Sequence, residues 1–178
     1  MNFEEMDISI LIADDDEDIQ KLLSHLLKKF SKNICEVSDG VAAKKELIEN
    51  NYSIAIIDLS LPKVSGLEVL KSIKSYKLDT VIIVYTGEDN LKVIKECMRN
   101  GAFDFLEKQS DKIILEETVK RAIEMYHFLS DRKKLLEFIV CEFGNITIDK
   151  FRKMDNEKQR KIFETVQALL KLKIANKS

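Results

Sequence analysis

Short apolar runs alternate with longer amphipathic segments along the first two thirds of the chain. Three runs are apolar at nearly every position: Ile8–Ala13, Ile54–Ile57 and Val81–Tyr85. Uninterrupted apolar runs of this kind are typical of strands that helices cover on both faces. Two weaker runs, at Ile34–Val37 and Ala102–Leu106, bring the predicted number of strands to five.

The segments between these runs have apolar residues at helical spacing. Steps of three and four place such residues on one face of a helix. The stripes are Ile19, Leu22, Leu23, Leu26, Leu27 and Phe30, then Leu67, Leu70 and Ile73, and then Leu91, Ile94 and Met98. Five strands that alternate with five helices up to about residue 129 predict an α/β fold with a parallel sheet and right-handed crossovers.

After the fifth strand the periodicity is helical only. Ile113–Val140 is predicted to form one long helix, because its apolar residues advance by alternating steps of four and three, as in a coiled coil. They are Leu115, Val119, Ala122, Tyr126, Leu129, Leu136 and Val140, continuing to Phe143, with Lys133 as the exception. The first half of this stripe is expected to pack on the sheet. Alternatively, Ser130-Asp131 caps a new helix.

Two further helices are predicted beyond Gly144-Asn145, a dipeptide typical of helix ends. A short one is expected at Thr147–Met154, and the capping residues Asp155-Asn156 precede the last one. The apolar stripe of the last helix consists of Ile162, Phe163, Val166, Leu169 and Leu170. The sequence therefore predicts an all-helical C-terminal extension.

Charge separates this extension from the rest of the chain. Residues 1–127 contain 17 Lys or Arg against 24 Asp or Glu, whereas residues 128–178 contain 12 against 7. The asymmetry predicts a domain boundary near residue 128. No apolar run approaches the about 18 residues that span a membrane. Since the acidic N-terminus also lacks the basic start of a signal peptide, we expect a cytoplasmic protein without a membrane partner.

Residues suited to bind a metal or a phosphate follow four of the predicted strands. Asp14 and Asp15 follow the first strand, Asp58 the third, Thr86 ends the fourth and Lys108 follows the fifth. Ligands of open parallel sheets bind beyond the carboxyl ends of the strands. The topology therefore predicts that these side chains converge. The alternative interpretation of the acidic residues 16–18 is that they serve only to start a helix.

The predicted cluster has the composition of a phosphoryl-transfer site. Carboxylates that lie close together repel one another, and a divalent cation or an ammonium group relieves the repulsion. Magnesium prefers oxygen ligands, and the Lys108 ammonium suits a phosphate. The Thr86 hydroxyl is a donor for a phosphate oxygen, and an Asp carboxylate can act as the nucleophile that forms an acyl phosphate.

Four motifs resemble the receiver domain of two-component response regulators, the CheY-like family. They are ISILIADD at residues 8–15, DLSLPKVSG from Asp58 to Gly66, VIIVYTGED around Thr86, and GAFDFLEK from Gly101 to Lys108. The resemblance covers about residues 5–128. It implies a doubly wound, flavodoxin-like sheet of five parallel strands in the order 2-1-3-4-5.

The resemblance also implies a role for each site residue. Asp58 would be the phosphoacceptor, and its donor would be a phosphohistidine on a sensor histidine kinase. Magnesium would be held by Asp58, Asp15, Asp14 (through water) and the backbone carbonyl of Ser60. Thr86 and Lys108 would bind the phosphoryl oxygens, and Phe105 would be the aromatic residue whose rotamer is coupled to Thr86.

Two positions depart from the family pattern. The family usually has a cis proline after the lysine, whereas this chain has Lys108-Gln109. A cis bond to a residue other than proline costs about 2.5–4 kcal/mol, so the loop is either cis under strain or rerouted in trans. Phe105 stands where Tyr is commoner, so no hydroxyl is available there although a steric switch remains feasible.

Three functional classes follow from these observations. The first is a signalling switch with a receiver domain at 5–128 and an extension at 129–178 that forms a homodimer or binds a partner helix. Its output protein is unknown. Its catalysis is limited to its own phosphorylation and dephosphorylation. The second is a transcription regulator whose short helical tail binds DNA, although the basic residues are spread over every helix. The third, a haloacid-dehalogenase-like phosphatase, would need an Asp where Ser60 stands.

Overall fold

The computed structural model describes residues 8–76, 78–88, 90–142, 153–155, 157–160 and 162. Five parallel strands form one sheet in the order β2-β1-β3-β4-β5. They are β1 (Ser9–Ala13), β2 (Asn33–Val37), β3 (Ile54–Ile57), β4 (Val81–Thr86) and β5 (Asp104–Glu107). The predicted α/β class and the flavodoxin-like strand order are therefore confirmed.

Between residues 8 and 142, among those that the structure describes, five α-helices connect or follow the strands. They are α1 (Glu17–Leu27), α2 (Gly40–Glu49), α3 (Gly66–Ile73), which continues as a 3₁₀ turn at Lys74–Tyr76, α4 (Leu91–Arg99) and α5 (Lys112–Glu142). The first four helices begin at side-chain caps, supplied by Asp16, Asp39, Ser65 and Asn90. Each cap accepts hydrogen bonds from backbone amides that have no partner inside the helix.

Helices cover both faces of the sheet. One core joins alternate strand residues, among them Leu11, Ala55 and Val84, to α2, α3 and α4. Since side chains alternate along a strand, the residues between them lie on the opposite face. Those residues, Ile10, Ile12, Ile54, Ile56 and Ile83, are also fully buried. On that side the buried residues of α1 and α5 complete the second core.

The predicted orientation of α4 is wrong. Leu91 and Met98, two members of its predicted apolar stripe, are 69% and 43% exposed. The buried residue is Cys97, with Val93 packed against the same core. The helix carries apolar residues on more than one face, so periodicity alone did not identify the buried one.

The fifth strand begins two residues later than predicted, and Ala102 lies in the turn that closes α4. Its amide donates to the carbonyl of Cys97, and the Gly101 amide donates to that of Met98. Gly101 has a φ of 101°, a conformation that residues with a side chain rarely adopt. The turn that closes α4 therefore includes Ala102, whose apolar character had suggested a strand.

The predicted long helix is confirmed, and no second helix starts at Ser130-Asp131, since α5 runs through both residues. Leu115, Val119 and Ala122 are buried, as expected for the first half of the stripe. The predicted helix end at Gly144-Asn145 and the helix at 147–154, apart from residues 153 and 154, lie outside the described residues. Most members of the last apolar stripe also lie outside the described residues. Residues 157–160 are helical, and Asp155 accepts a hydrogen bond from the Lys158 amide.

The chain divides into two compact units, residues 1–127 and residues 128–178. In the part of the chain that the structure describes, the helices are either too short or too polar to cross a membrane.

Candidate functional site

The site lies at the carboxyl edge of the sheet, where β1 and β3 are neighbours. Asp14 follows β1 directly and is 1% exposed. Its amide donates a hydrogen bond to the carbonyl of Val37. Asp15 is exposed. The Asp16 side chain caps α1 by accepting from the amides of Asp18 and Ile19. Asp16 therefore starts the helix, and the acidic pair that faces the site is Asp14 and Asp15.

Asp58 follows β3 and is 3% exposed. Its amide donates to the carbonyl of Ala13 at 2.8 Å, which ties it to the end of β1. Its Oδ1 accepts from the amide of Ser60 at 3.2 Å. The loop then folds back so closely that a Cβ on Gly66 would lie 2.1 Å from the Asp58 carbonyl oxygen. Only glycine fits at that position without a shift of the backbone.

Lys108 joins the two buried carboxylates. Its Nζ lies 2.8 Å from Oδ2 of Asp58 and 2.8 Å and 3.0 Å from the two oxygens of Asp14. Its amide donates to the carbonyl of Thr86 at 3.0 Å, so the lysine is anchored on β4 as it leaves β5. The Lys108–Gln109 peptide is trans. The trans route therefore allows the ammonium to reach both carboxylates, which answers the question left by the missing proline.

Asp14, Asp15 and Asp58 together have the geometry of a cation site. One ligand oxygen from each lies within 4.8 Å of the others. Three carboxylates at this separation match the hard oxygen ligands that a divalent cation such as magnesium prefers. The donor set therefore fits the metal, and Lys108 provides a positive charge beside it.

The environment shifts the ionisation of this cluster. Burial raises the pKa of Asp58, but hydrogen bonds from Lys108, Thr86 and the Ser60 amide outweigh it, and the pKa lies below its usual value. For Asp14 burial dominates and raises the pKa, although Lys108 and the Asp16 amide act against it. Burial lowers the pKa of Lys108, and its two carboxylate partners more than reverse this effect. Asp58 is thus held as the carboxylate, the form that acts as a nucleophile.

Thr86 and Phe105 lie on the neighbouring strands β4 and β5. Thr86 is fully buried, and its hydroxyl accepts a 3.3 Å hydrogen bond from the amide of Glu88. Phe105 is paired with Val84 across the β4–β5 ladder and packs, half-buried, against the core on the side of α2, α3 and α4. The structure therefore brings together Asp14, Asp15, Asp58, Thr86 and Lys108, with Ser60 in the loop that follows Asp58.

Sequence reasoning missed two residues that contact the backbone of this site. Nε2 of Gln20 donates to the carbonyls of Asp14 (2.6 Å) and Val37 (3.0 Å), which braces the loop after β1. The hydroxyl of Tyr85 donates to the carbonyl of Lys108 at 3.0 Å. A glutamine in an amphipathic helix and a tyrosine in an apolar strand give no signal of such contacts.

The chain is similar in sequence to several known proteins. The chain is 28% identical over 130 residues to a cyclic di-GMP phosphodiesterase of Thermotoga maritima, a match that covers 73% of this chain and 35% of that protein. It is 29% identical over 120 residues to the transcriptional regulatory protein FixJ of Rhizobium meliloti, covering 66% of this chain and 58% of that protein. The chain thus spans well under two thirds of the length of either relative.

A solved structure gives the corresponding match in three dimensions. The BeF3-activated DrrB receiver domain is 27% identical, with a TM-score of 0.61, and the match covers 67% of this chain and 99% of that domain. The model of the response regulator receiver domain matches residues 10–120. This range contains every residue of the cluster and every residue of the five strands except Ser9. The chain therefore belongs to the response regulator receiver domain family.

Proposed function

We propose that Asp58 accepts a phosphoryl group from a phosphohistidine of a sensor histidine kinase. Phosphorylation by a kinase is the general function of receiver domains. One observation carries the assignment: the Lys108 ammonium contacts Asp58 and Asp14 together, 2.8 Å from an oxygen of each, and Asp15 completes the carboxylate cluster. In the reaction an Asp58 oxygen forms a bond to phosphorus while the bond from phosphorus to the donor imidazole breaks, and the imidazole takes up a proton.

Receiver domains generally bind Mg²⁺ at an acidic pocket of this kind. We assign the ligands here to Asp14, Asp15, Asp58 and the carbonyl of Ser60. When bound, the ion supplies positive charge to the phosphoryl oxygens during transfer. Lys108 supplies a second positive charge from the chain itself, and its anchored backbone keeps the ammonium beside Asp58.

The phosphoryl group also acts as the ligand of a conformational switch. The Thr86 hydroxyl already hydrogen-bonds the Asp58 carboxylate. We propose that the phosphoryl oxygens draw this hydroxyl further inward and that Phe105 fills the space so released. A ligand shifts such an equilibrium only through its different affinity for the two states. Thr86 and Lys108 supply that difference, because a free Asp58 carboxylate and an aspartyl phosphate place oxygen atoms at different distances from them. The surface of α4, β5 and α5 would carry the change to partners.

Residues 5–128 would then form the receiver domain and residues 129–178 an output or dimerisation extension. The division of the chain into compact units at residues 1–127 and 128–178 supports this boundary. We propose that the extension forms a homodimer or binds a partner helix, and that the protein acts in the cytoplasm.

DNA binding by the extension is a second candidate function. Several relatives are named transcriptional regulatory proteins, including FixJ, and the extension has an excess of basic residues. Binding to mixed DNA fragments that weakens steeply with salt would favour it, since contacts to phosphates release counterions. Phosphodiesterase activity is named for the Thermotoga maritima relative, and the match covers only 35% of its length. We therefore do not propose this activity for the present chain. We propose catalysis of the chain's own phosphorylation and dephosphorylation only.

A phosphoryl mimic tests the site and the switch together. Beryllofluoride with magnesium should shift the amide resonances of Thr86, Phe105 and Lys108 in the full-length protein, and should leave those of Asp58→Ala unchanged. Equal shifts in both proteins would show that the mimic binds elsewhere.

A further inference from the structure

Tyr85 makes a contact to the site through the backbone of Lys108. It is the residue before Thr86 in β4, it is 4% exposed, and its hydroxyl donates to the Lys108 carbonyl at 3.0 Å. A buried phenol keeps such a bond because loss of the partner leaves a polar group unsatisfied. The bond is therefore a stable feature of the β4–β5 edge rather than an incidental surface contact.

The backbone of Lys108 is thus held at two points by consecutive residues of β4. Its amide donates to the Thr86 carbonyl, and its carbonyl accepts from the Tyr85 hydroxyl, both at 3.0 Å. Since β5 ends at Glu107, the Lys108 carbonyl lies beyond the strand ladder, and a side chain supplies its hydrogen-bond donor. The two bonds fix the peptide groups on either side of the atom from which the lysine side chain extends.

Tyr85 lies on the other face of the strand from the switch residues. Side chains alternate along β4, so Tyr85 points to the side opposite Val84 and Thr86. Phe105 packs on the same side as Val84. Removal of the Tyr85 hydroxyl therefore changes the support of Lys108 without altering the space into which Phe105 would move.

We infer that Tyr85 is a positioning residue for phosphoryl transfer: its hydroxyl fixes the backbone of Lys108 so that the ammonium meets the phosphoryl group held on Asp58. The inference rests on the proposed function. Small losses of alignment weaken transfer because a positioned charge is effective only where charge develops. The tyrosine acts through Lys108 and need not contact the phosphoryl group itself.

The variant Tyr85→Phe removes the hydroxyl and keeps the ring. Tyr52→Phe is the matched control, because Tyr52 is also buried, at 9% exposure, and its hydroxyl donates to Glu46 at 2.7 Å, away from the site. The full-length proteins are incubated with phosphoramidate over a range of magnesium concentrations, and the phosphorylated fraction is followed by intact mass.

Loss of one positioning hydrogen bond should lower the rate at saturating magnesium about three- to tenfold in Tyr85→Phe and leave Tyr52→Phe unchanged. The magnesium concentration for half-maximal rate should not rise, because the Tyr85 hydroxyl contacts no carboxylate and a less firmly held Lys108 competes less with the metal. In a Lys108→Ala background, Tyr85→Phe should cause almost no further loss, since its effect passes through the lysine.

A Tyr85→Phe rate equal to wild type would overturn the inference. So would a rate that falls only in step with magnesium affinity, or a loss of the same size with and without Lys108, because each of these indicates general loosening of the fold. If wild type is phosphorylated on Asp58 and Tyr85→Phe behaves like it, only the inference fails. If wild type takes up no phosphoryl group, the proposed function fails and the inference fails with it.

Discussion

The ammonium nitrogen of Lys108 lies 2.8 Å from Oδ2 of Asp58, and the same nitrogen contacts both carboxylate oxygens of Asp14. The lysine therefore contacts both buried carboxylates, and its single positive charge offsets one of their two negative charges. A divalent ion that binds to these oxygens must share or displace this charge. We therefore expect Lys108 to have opposite effects on the two proposed ligands of the site: it would compete with the metal and assist the phosphoryl group.

Lys108→Ala should separate these effects. Magnesium should bind more tightly, by about three- to tenfold, because the competing ammonium is gone. Phosphorylation by phosphoramidate should slow by about 10- to 100-fold, because one preorganised charge near the transferred group is lost. Calorimetric titration with magnesium and intact-mass kinetics measure the two quantities. Lys71→Ala, which removes an exposed lysine paired with Glu96, is the control and should change neither.

Asp15→Asn should weaken magnesium binding by about tenfold or more, because it removes a charged oxygen ligand from the cluster. Asp18→Asn makes the same chemical change three residues later, at an exposed position in the first turn of α1, and should leave magnesium binding nearly unchanged. Titration of both variants with magnesium is the measurement. Equal losses in the two would place the metal elsewhere.

Gly66→Ala should destabilise the fold and the site together. The added Cβ would lie 2.1 Å from the Asp58 carbonyl oxygen, so the backbone that carries Asp58 has to shift. Overpacking of this kind lowers the free energy of unfolding by about 1–3 kcal/mol, and the rate of phosphorylation should fall as well. Gly87→Ala is the control, since an added Cβ there meets no atom within 4 Å. Denaturant unfolding measures the free energy of unfolding of both variants, and equal values would contradict this prediction.

A chain that ends after residue 128 should remain phosphorylatable and lose the ability to associate. The cut lies one residue beyond the boundary between the two compact units, and the first unit contains the whole sheet and the carboxylate cluster. Solution mass by light scattering, with and without beryllofluoride, compares this chain with the full-length protein. The same mass and the same bound partners for both chains would mean that the extension has no role in assembly, and the DNA-binding alternative would gain weight.

The strands were predictable because burial on both faces leaves a simple signature. β3 was predicted with its observed bounds, and β1 and β4 to within one residue, since each is apolar at nearly every position. The orientation of α4 was not predictable from periodicity, because exposed Leu91 and Met98 are as apolar as the residues that face the core. Which face is buried depends on where the neighbouring helices lie, and a single-helix pattern does not contain that information.

The convergence of Asp14, Asp58, Thr86 and Lys108 was predictable for a different reason. Each follows or ends a parallel strand, so the topology alone brings them to one edge. The supporting contacts of Gln20 and Tyr85 were not predictable, because they depend on side chains that reach across to backbone carbonyls of other elements. Whether Lys108–Gln109 is cis or trans also required the structure, which shows the trans form.

The central claim is that Asp58 is the phosphoryl acceptor, and intact-mass analysis tests it most directly. Wild type and Asp58→Ala are incubated with phosphoramidate and magnesium, and both are measured before and after acid-labile groups have been hydrolysed. Wild type should gain a single labile phosphoryl group, and Asp58→Ala should gain none. A variant that still gained one phosphoryl group at the wild-type rate would contradict the assignment.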